Sequence, residues 1–311
     1  MNRLLKADFS RLFKSLIFKL GMIFSVGFAL VMVIASYIDF KVNAQTYAEY
    51  GYTTLNADDF LFTGGFFMMF AVAVFIGIFV GTDYSDGTIR NKIMVGHRRG
   101  SIYLANYVVC YAATLIFNFA CIITVLAVGM LLFGNTAIEL SAFFVNMGFM
   151  IITSAALNAL FLFLAMLINN KAAASVTLLS LAIVLWFSAM LIVTRLDTQE
   201  YYQDAYHLNE AGELVQDKDV KNPKYLTGTK REVYEFMDDL LPSTQYYQIL
   251  QWSVERPVRW LSYLIILFFV AFCKMLFTFS AGIWAFSSMI VFTCRFQKSM
   301  FFYFLDVRHP F

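Results

Sequence analysis

The segment of this sequence best suited to chemistry is a short basic stretch between two long apolar runs. Residues 83–106, called the connector below, read DYSDGTIRNKIMVGHRRGSIYLAN. Arginine can pair with carboxylates on another protein or with lipid phosphates, and glycine permits tight turns. We therefore predict a short helix bounded by turns, which a cytosolic partner contacts. The cations and glycines of the connector are Arg90, Lys92, Arg98, Arg99, Gly87, Gly96 and Gly100.

Catalytic chemistry has little support in the rest of the chain. An intramembrane hydrolase or transferase needs ionisable or metal-binding groups facing the bundle interior, but the predicted spans hold no Asp, Glu or His. The histidines His97, His207 and His309 are far apart in sequence and match no metal trio or Ser-His-Asp arrangement. The chain also lacks the G-x-x-x-x-G-K-[ST] loop that cradles nucleotide phosphates. These observations disfavour an enzyme, a proton-driven carrier and any directly bound cofactor.

Composition indicates a membrane protein. Of 311 residues, 60% are hydrophobic and 14% are charged, whereas a soluble domain has about 25% charged residues. Each apolar run is long enough to cross a bilayer, which takes about 20 residues. We therefore expect an all-α polytopic membrane protein with six transmembrane helices. The predicted spans are Leu20–Tyr37, Phe60–Val80, Ile102–Phe133, Phe143–Ile168, Ala172–Val193 and a sixth region that starts at Trp260.

Small residues at four-residue spacing predict where helices pack closely. Gly21, Ser25 and Ala29 have this spacing in the first span, and Gly77 and Gly81 have it at the end of the second. Small side chains let two helix backbones approach each other in a membrane.

Counts of lysine and arginine predict the orientation. The segments assigned to the cytoplasm hold thirteen of these residues, and the two short loops on the other side hold one, Lys41. Because basic loops stay in the cytoplasm, we predict a multi-pass cell-membrane protein with both termini cytoplasmic. The region 195–256 is too long for this rule.

The N-terminal segment, residues 1–19, has the periodicity of an amphipathic helix. Two compatible interpretations remain: a helix lying in the headgroups of an anionic leaflet, or basic residues that flank the first span and fix its orientation. The predicted polar face holds Arg3, Lys6, Ser10 and Lys14, and the predicted apolar face holds Leu5, Phe9, Leu12, Phe13 and Leu16.

The predicted organisation has five parts. Residues 1–19 form the amphipathic helix; 20–194 hold spans one to five, with a cytoplasmic coupling loop at 82–101; 195–256 form an extracellular loop; 257–292 hold the sixth span; and 293–311 form an atypical tail.

The large outer segment holds most of the acidic residues and leaves two alternatives open. It is either a lid that contacts a substrate, or a solvated connection with one interfacial helix. Its middle is turn-like, and its end, 232–252, has helical character with Tyr and Trp suited to a membrane interface.

The last apolar region is interrupted by Lys274. A charge at mid-bilayer costs at least about 2.5 kcal/mol unless it faces water or a partner. Lys274 therefore either lines an internal cavity or belongs to a shifted span from which its ammonium reaches the interface.

The order of motifs in the connector matches a known family. Asp83-Tyr84 is followed by GTIR at 87–90 and GHRR at 96–99. This order resembles the intracellular loop of the type-2 ABC transporter permease family, in which an acidic and an aromatic residue precede G-T-[IL]-R and then G-x-x-R. The residues carrying the resemblance are Asp83, Tyr84, Gly87, Thr88, Ile89, Arg90, Gly96, Arg98 and Arg99.

The rest of the chain, to about Phe286, is also similar to this family. LPSTQ at 241–245 looks like the L-P-x-x-Q segment before the last span, and Gly282 with Phe286 looks like the G-x-x-x-F that ends it. The tail beyond Phe286 departs from the short basic ending that the family has.

The resemblance implies a division of labour. A separate cytosolic ABC ATPase would bind and hydrolyse ATP and dock on the connector helix. In that helix Gly87 and Gly96 would permit the bounding turns, Thr88 would cap the first turn, and the arginines would pair with carboxylates. A second permease subunit, identical or different, would complete the unit in the bilayer, and no nucleic-acid partner is expected.

Three functions follow from these observations. The first is export of a small molecule, peptide or lipid-like compound. The second is an ABC-type complex that does not translocate and instead senses a peptide or confers resistance to it. The third, an intramembrane enzyme, is disfavoured by the missing ionisable groups in the spans.

Overall fold

The structure is a computed structural model of the chain, and it describes residues 2–49, 54–134, 139–168, 170–201, 205–208, 214–217 and 220–250. Its elements in chain order are α1 (Asn2–Lys14), α2 (Leu16–Val42), α3 (Ala44–Glu49), a 3-10 turn (Ala57–Phe60), α4 (Thr63–Ser85), α5 (Thr88–Met94), α6 (Arg99–Phe133), α7 (Leu140–Leu167), α8 (Lys171–Leu196), β1 (Ala205–Leu208), β2 (Leu214–Asp217), α9 (Thr229–Leu240) and α10 (Pro242–Leu250).

Five helices, α2, α4, α6, α7 and α8, are long and apolar enough to cross a membrane. They match the first five predicted spans, each within a few residues at its ends. Helices α4 and α7 form the centre of the bundle, because 72% and 67% of their apolar windows are buried, against 22% for the peripheral α2. The sixth predicted span, Lys274 and the tail 293–311 lie outside the described residues.

The amphipathic helix predicted at the N-terminus is present, but its end and its buried face differ from the prediction. The predicted helix over residues 1–19 ends at Lys14, and α2 begins at Leu16, because the Ser15 side chain caps the new helix by accepting from the Phe18 backbone N–H at 3.3 Å. The predicted apolar face is also rotated. Leu4, Asp8 and Leu12 are buried, whereas Phe13 and Leu16 are exposed.

The close approach predicted for Gly77 and Gly81 is confirmed between α4 and α8. A Cβ added to Gly77 would lie 2.6 Å from the Ser175 Cα, and one added to Gly81 would lie 2.6 Å from the Lys171 Cα. Both atoms belong to the α8 backbone, so no side-chain rotation could relieve the contact.

The small-residue pattern of the first span also marks a helix contact, here between α2 and α6. A Cβ on Gly21 would lie 2.5 Å from the ring of Phe117. Ser25 is fully buried, and its hydroxyl donates to the Phe117 carbonyl at 2.5 Å. Ala29 is fully buried as well.

The outer segment contains the one departure from helical architecture among the described residues. Strands β1 and β2 pair antiparallel, with Ala205 opposite Asp217 and Leu208 opposite Leu214. The helical character predicted from residue 232 onward is confirmed by α9 and α10, which together run from 229 to 250.

Replacing Gly77 or Gly81 by alanine is expected to destabilise the bundle by about 1–3 kcal/mol, because the added methyl must displace the α8 backbone. Gly27→Ala and Gly148→Ala are matched helical controls, since a Cβ at either position meets nothing within 4 Å. Unfolding in mixed micelles by SDS titration measures the difference. Equal stability of all four variants would contradict the packing described.

Candidate functional site

The connector forms the predicted short helix between two glycine turns. Helix α5 begins after Gly87, whose φ is 70°, and ends before Gly96, whose φ is 92°. Behind the helix, the Gly96 N–H donates to Ile93 O at 2.9 Å and the His97 N–H donates to Lys92 O at 3.2 Å. This pair of bonds is a Schellman C-cap, which places its glycine in the left-handed region. The predicted roles of both glycines are confirmed.

The capping role predicted for Thr88 is wrong. Gly87 is the N-cap residue, no side chain caps α5, and Thr88 is its first helical residue. A residue already inside the helix cannot act as the cap, because the N-cap has a non-helical backbone. Gly87 stands there because its positive φ makes the sharp turn from α4 into α5.

A buried cluster of four charges, called the ionic cluster below, holds α5 against the N-terminal helix. Arg11 of α1 pairs with Asp83 near the end of α4. Lys92 of α5 lies 2.8 Å from the Asp8 carboxylate and 3.4 Å from the Asp83 carboxylate. The Arg11 guanidinium also lies over the Phe79 ring, 4.0 Å from its centroid, which is within cation–π distance. The cluster thus joins α1, α4 and α5.

The ionic cluster is electrically balanced and largely buried, with the Arg11 side chain 30% exposed and the Lys92 side chain 11% exposed. Its two cations face two carboxylates, and the exposed side-chain fractions of Asp83 and Asp8 are 1% and 4%. Burial lowers the pKa of Lys92 below its ordinary value, and the hydrogen bond to Asp8 opposes that shift. Burial likewise lowers the pKa of Arg11, again opposed by the nearby Asp8 charge. The carboxylates therefore offset part of the cost of burying the two cations.

Two other predicted residues fasten the connector to the bundle. The Tyr84 hydroxyl donates to the Met166 carbonyl at the end of α7, at 2.6 Å. Ile89 of α5 is 8% exposed and packs in the hydrophobic core. Together with Asp83, these residues form the inner, structural side of the predicted site.

The three predicted arginines form the outer side. Arg90 projects from α5, and Arg98 and Arg99 lie at the start of α6; all three are exposed. Between them, Met94 and Val95 are 70% and 79% exposed. Within the described part of the chain, none of the three arginines forms an ion pair. We call these five residues the connector surface: a basic rim around an exposed apolar centre.

A second polar network lies inside the bundle and involves the LPSTQ motif. The motif starts at Leu241, immediately before α10, and continues into the first turn of α10. Its residues Ser243, Thr244 and Gln245 are fully buried. The Thr244 hydroxyl donates to the Asp238 carbonyl at 2.6 Å and the Gln245 amide donates to the Asp239 carbonyl at 2.8 Å. These bonds fix α10 to the end of α9.

Tyr246 then links α10 to the interior of the bundle. Its hydroxyl lies 2.5 Å from the Ser154 hydroxyl of α7, to which the Asn118 amide of α6 donates at 3.1 Å. The Asn158 amide donates to the Tyr107 carbonyl at 3.2 Å. The asparagines therefore make bonds between helices, as membrane asparagines do. Tyr246 is 2% exposed, so its side chain contacts protein and not lipid or water.

Sequence reasoning missed Asp8, Arg11 and the inward role of Lys92. A signal was present, since Asp8 lies midway between Leu4 and Leu12 at four-residue spacing. Residues four apart share one face of a helix, and an acid within an apolar stripe indicates a buried partner.

Comparison of the chain with family models, with curated proteins and with solved structures gives no match. Function must therefore be argued from the geometry of the connector and from the motifs in its sequence.

Asp83→Asn is expected to destabilise the fold by about 3 kcal/mol, because it leaves Arg11 and Lys92 buried beside one carboxylate in place of two. Glu200→Gln is the control: it breaks the exposed Lys221–Glu200 pair, whose side chains are 73% and 43% exposed, and should cost less than about 1 kcal/mol. SDS unfolding curves compare the two. Similar losses in both variants would contradict a structural role for the ionic cluster.

Proposed function

We propose that this chain is the membrane-spanning permease subunit of an ATP-driven ABC transporter, powered by a separate cytosolic ATPase that docks on the connector surface. The motif order in the connector suggests the family. The geometry adds a reason why this surface suits the task.

The observation that carries the proposal is the two-sided construction of the connector. Its inner side is fixed to three helices through the ionic cluster, through Tyr84 and through Ile89. Its outer side offers exposed methionine and valine beside three exposed arginines. An apolar centre with a charged rim is the composition of a protein–protein contact. A partner that moves this surface would also move α1, α4 and α7.

Electrostatics favour an acidic partner. Arg90, Arg98 and Arg99 are exposed, so a docked protein could pair each with a carboxylate. Such pairs guide association and fix the register of the two surfaces. A rigid-body shift of the docked ATPase would then reach the spans through the ionic cluster, as helix shifts at interfaces do in switching proteins.

The cargo that we propose is a small molecule, a peptide or a lipid-like compound that leaves the cell. The polar groups described inside the bundle, such as Asn118, Ser154 and Tyr246, are uncharged amides and hydroxyls. Such groups suit an amphipathic cargo better than a bare ion, which needs charge or a ring of carbonyls. A second permease subunit would supply the other half of the path.

Affinity purification of the tagged chain, followed by mass spectrometry, tests the proposal. We expect a protein with a nucleotide-binding loop to co-purify. The double variant Arg90→Glu/Arg98→Glu should reduce its yield on the order of tenfold or more, because the reversed charges would repel the partner's carboxylates. Membrane insertion and helix content should not change.

A matched control reverses two charges at the same end of the molecule without touching α5. Lys6→Glu/Lys14→Glu changes exposed residues of α1 and should leave the co-purified ATPase at its normal yield. Co-purification of the ATPase at wild-type yield with the Arg90→Glu/Arg98→Glu variant would refute the proposed docking site, and hydrolysis of ATP by the purified chain alone would refute the division of labour.

A further inference from the structure

Helix α9 carries an apolar stripe that no described part of the chain covers. Val233, Phe236, Met237 and Leu240 are 51%, 59%, 37% and 42% exposed. Their spacing of three, four and seven residues places them on one face of the helix. Four neighbouring exposed apolar side chains form a surface that water solvates poorly.

The stripe faces away from the protein. The opposite face of α9 holds Asp238, which is buried, and Arg231 and Glu235, which are half-buried. The Asp238 carboxylate accepts a hydrogen bond from the Gln248 amide of α10 at 2.7 Å, and the Arg231 guanidinium donates to Glu235 at 3.0 Å. The polar face is therefore turned inward and the apolar face outward, which is the reverse of a helix exposed to water.

The position of α9 indicates what covers the stripe. The helix packs against α8, whose last turns hold the buried residues Ile192, Val193 and Leu196. On its outer side α8 exposes Met190 and Leu191, which in a spanning helix face hydrocarbon. Helix α9 thus lies beside the end of a span, where the apolar surface of that span meets the headgroups.

The net charge of α9 indicates which class of lipid headgroup it contacts. It holds four acids, Glu232, Glu235, Asp238 and Asp239, against two bases, Lys230 and Arg231. A net acidic helix gains no attraction from anionic headgroups, unlike a helix rich in lysine and arginine. Its membrane contact must come from apolar burial, which zwitterionic lipids provide.

We propose that α9 is an interfacial helix whose stripe of Val233, Phe236, Met237 and Leu240 is buried in the headgroup boundary of a zwitterionic leaflet, at the end of the bundle opposite the connector. This surface selects between the two alternatives left open for the outer segment: α9 lies on the membrane, and α10 enters the bundle. The inference does not depend on the identity of any ATPase partner.

Site-specific fluorescence quenching tests it on the full chain. Phe236→Cys and Lys221→Cys are each labelled with the fluorophore NBD, in a background whose four native cysteines are replaced by alanine and whose helix content is unchanged. Both proteins are placed in phosphatidylcholine nanodiscs. Lys221 is the control because its side chain is 73% exposed and lies outside α9.

We expect nitroxide-labelled lipid to quench the probe at 236 several-fold more than the probe at 221, and aqueous iodide to show the opposite order. Adding anionic lipid should not increase the lipid quenching at 236. If Phe236→Cys prevents folding, Val233→Cys and Leu240→Cys carry the same expectation.

Three results would overturn the inference. Equal iodide quenching at both positions would mean that the stripe is in water. Protection of the probe at 236 from both quenchers would mean that protein, such as a second copy of the chain, covers the stripe. Lipid quenching that requires anionic lipid would contradict the proposed lipid class.

Discussion

Four charges buried together where α1, α4 and α5 meet are the interaction on which the rest of this molecule depends. Charges removed from water are costly unless each is paired, so Arg11 and Lys92 are held beside Asp8 and Asp83. The Arg11–Asp83 and Asp8–Lys92 pairs each join residues more than seventy positions apart in sequence. Separating α1 from α5 would leave unpaired charges in a poorly solvated site, and the two helices are therefore constrained to move together.

That constraint gives the connector its two sides. On the inner side, Lys92, Ile89 and Tyr84 attach the connector to the bundle. The residues of the outer side are therefore not needed for this attachment. Arginine, methionine and valine can therefore be exposed there without weakening the fold. Close packing of α4 against α8 at Gly77 and Gly81 extends the attachment, because any displacement of the end of α4 meets the α8 backbone directly. A displacement of α5 would therefore be transmitted to the central helix α4 through the ionic cluster, and from α4 directly to α8.

Local pattern predicted the parts of the structure that depend on local physics. Span number and position through α8 followed from the length of apolar runs, and the α5 boundaries followed from glycines whose positive φ other residues adopt at a cost. The ionic cluster did not follow, because helical periodicity divides α1 into one polar and one apolar face. In the structure Asp8 and Arg11 point toward α4 and α5, where they pair with residues distant in sequence. The burial of Tyr246 did not follow from the sequence for a similar reason. A tyrosine side chain suits a membrane interface, but here the Ser154 hydroxyl and the Asn118 amide form a hydrogen-bonding network with it inside the bundle. Neither partnership leaves a trace in residue spacing.

An ATPase can dock on the connector surface only if this surface faces the compartment that contains ATP, and the sidedness of α5 tests this most directly. Met94 and Val220 are exposed residues in the connector and in the outer segment, 70% and 39% accessible respectively. Each can be changed to cysteine and treated with a membrane-impermeant maleimide. We expect that Val220→Cys is labelled in intact cells, whereas Met94→Cys is labelled only after the membrane is opened. Labelling of Met94→Cys in intact cells would place the connector on the side of the membrane without ATP and contradict the proposed docking site.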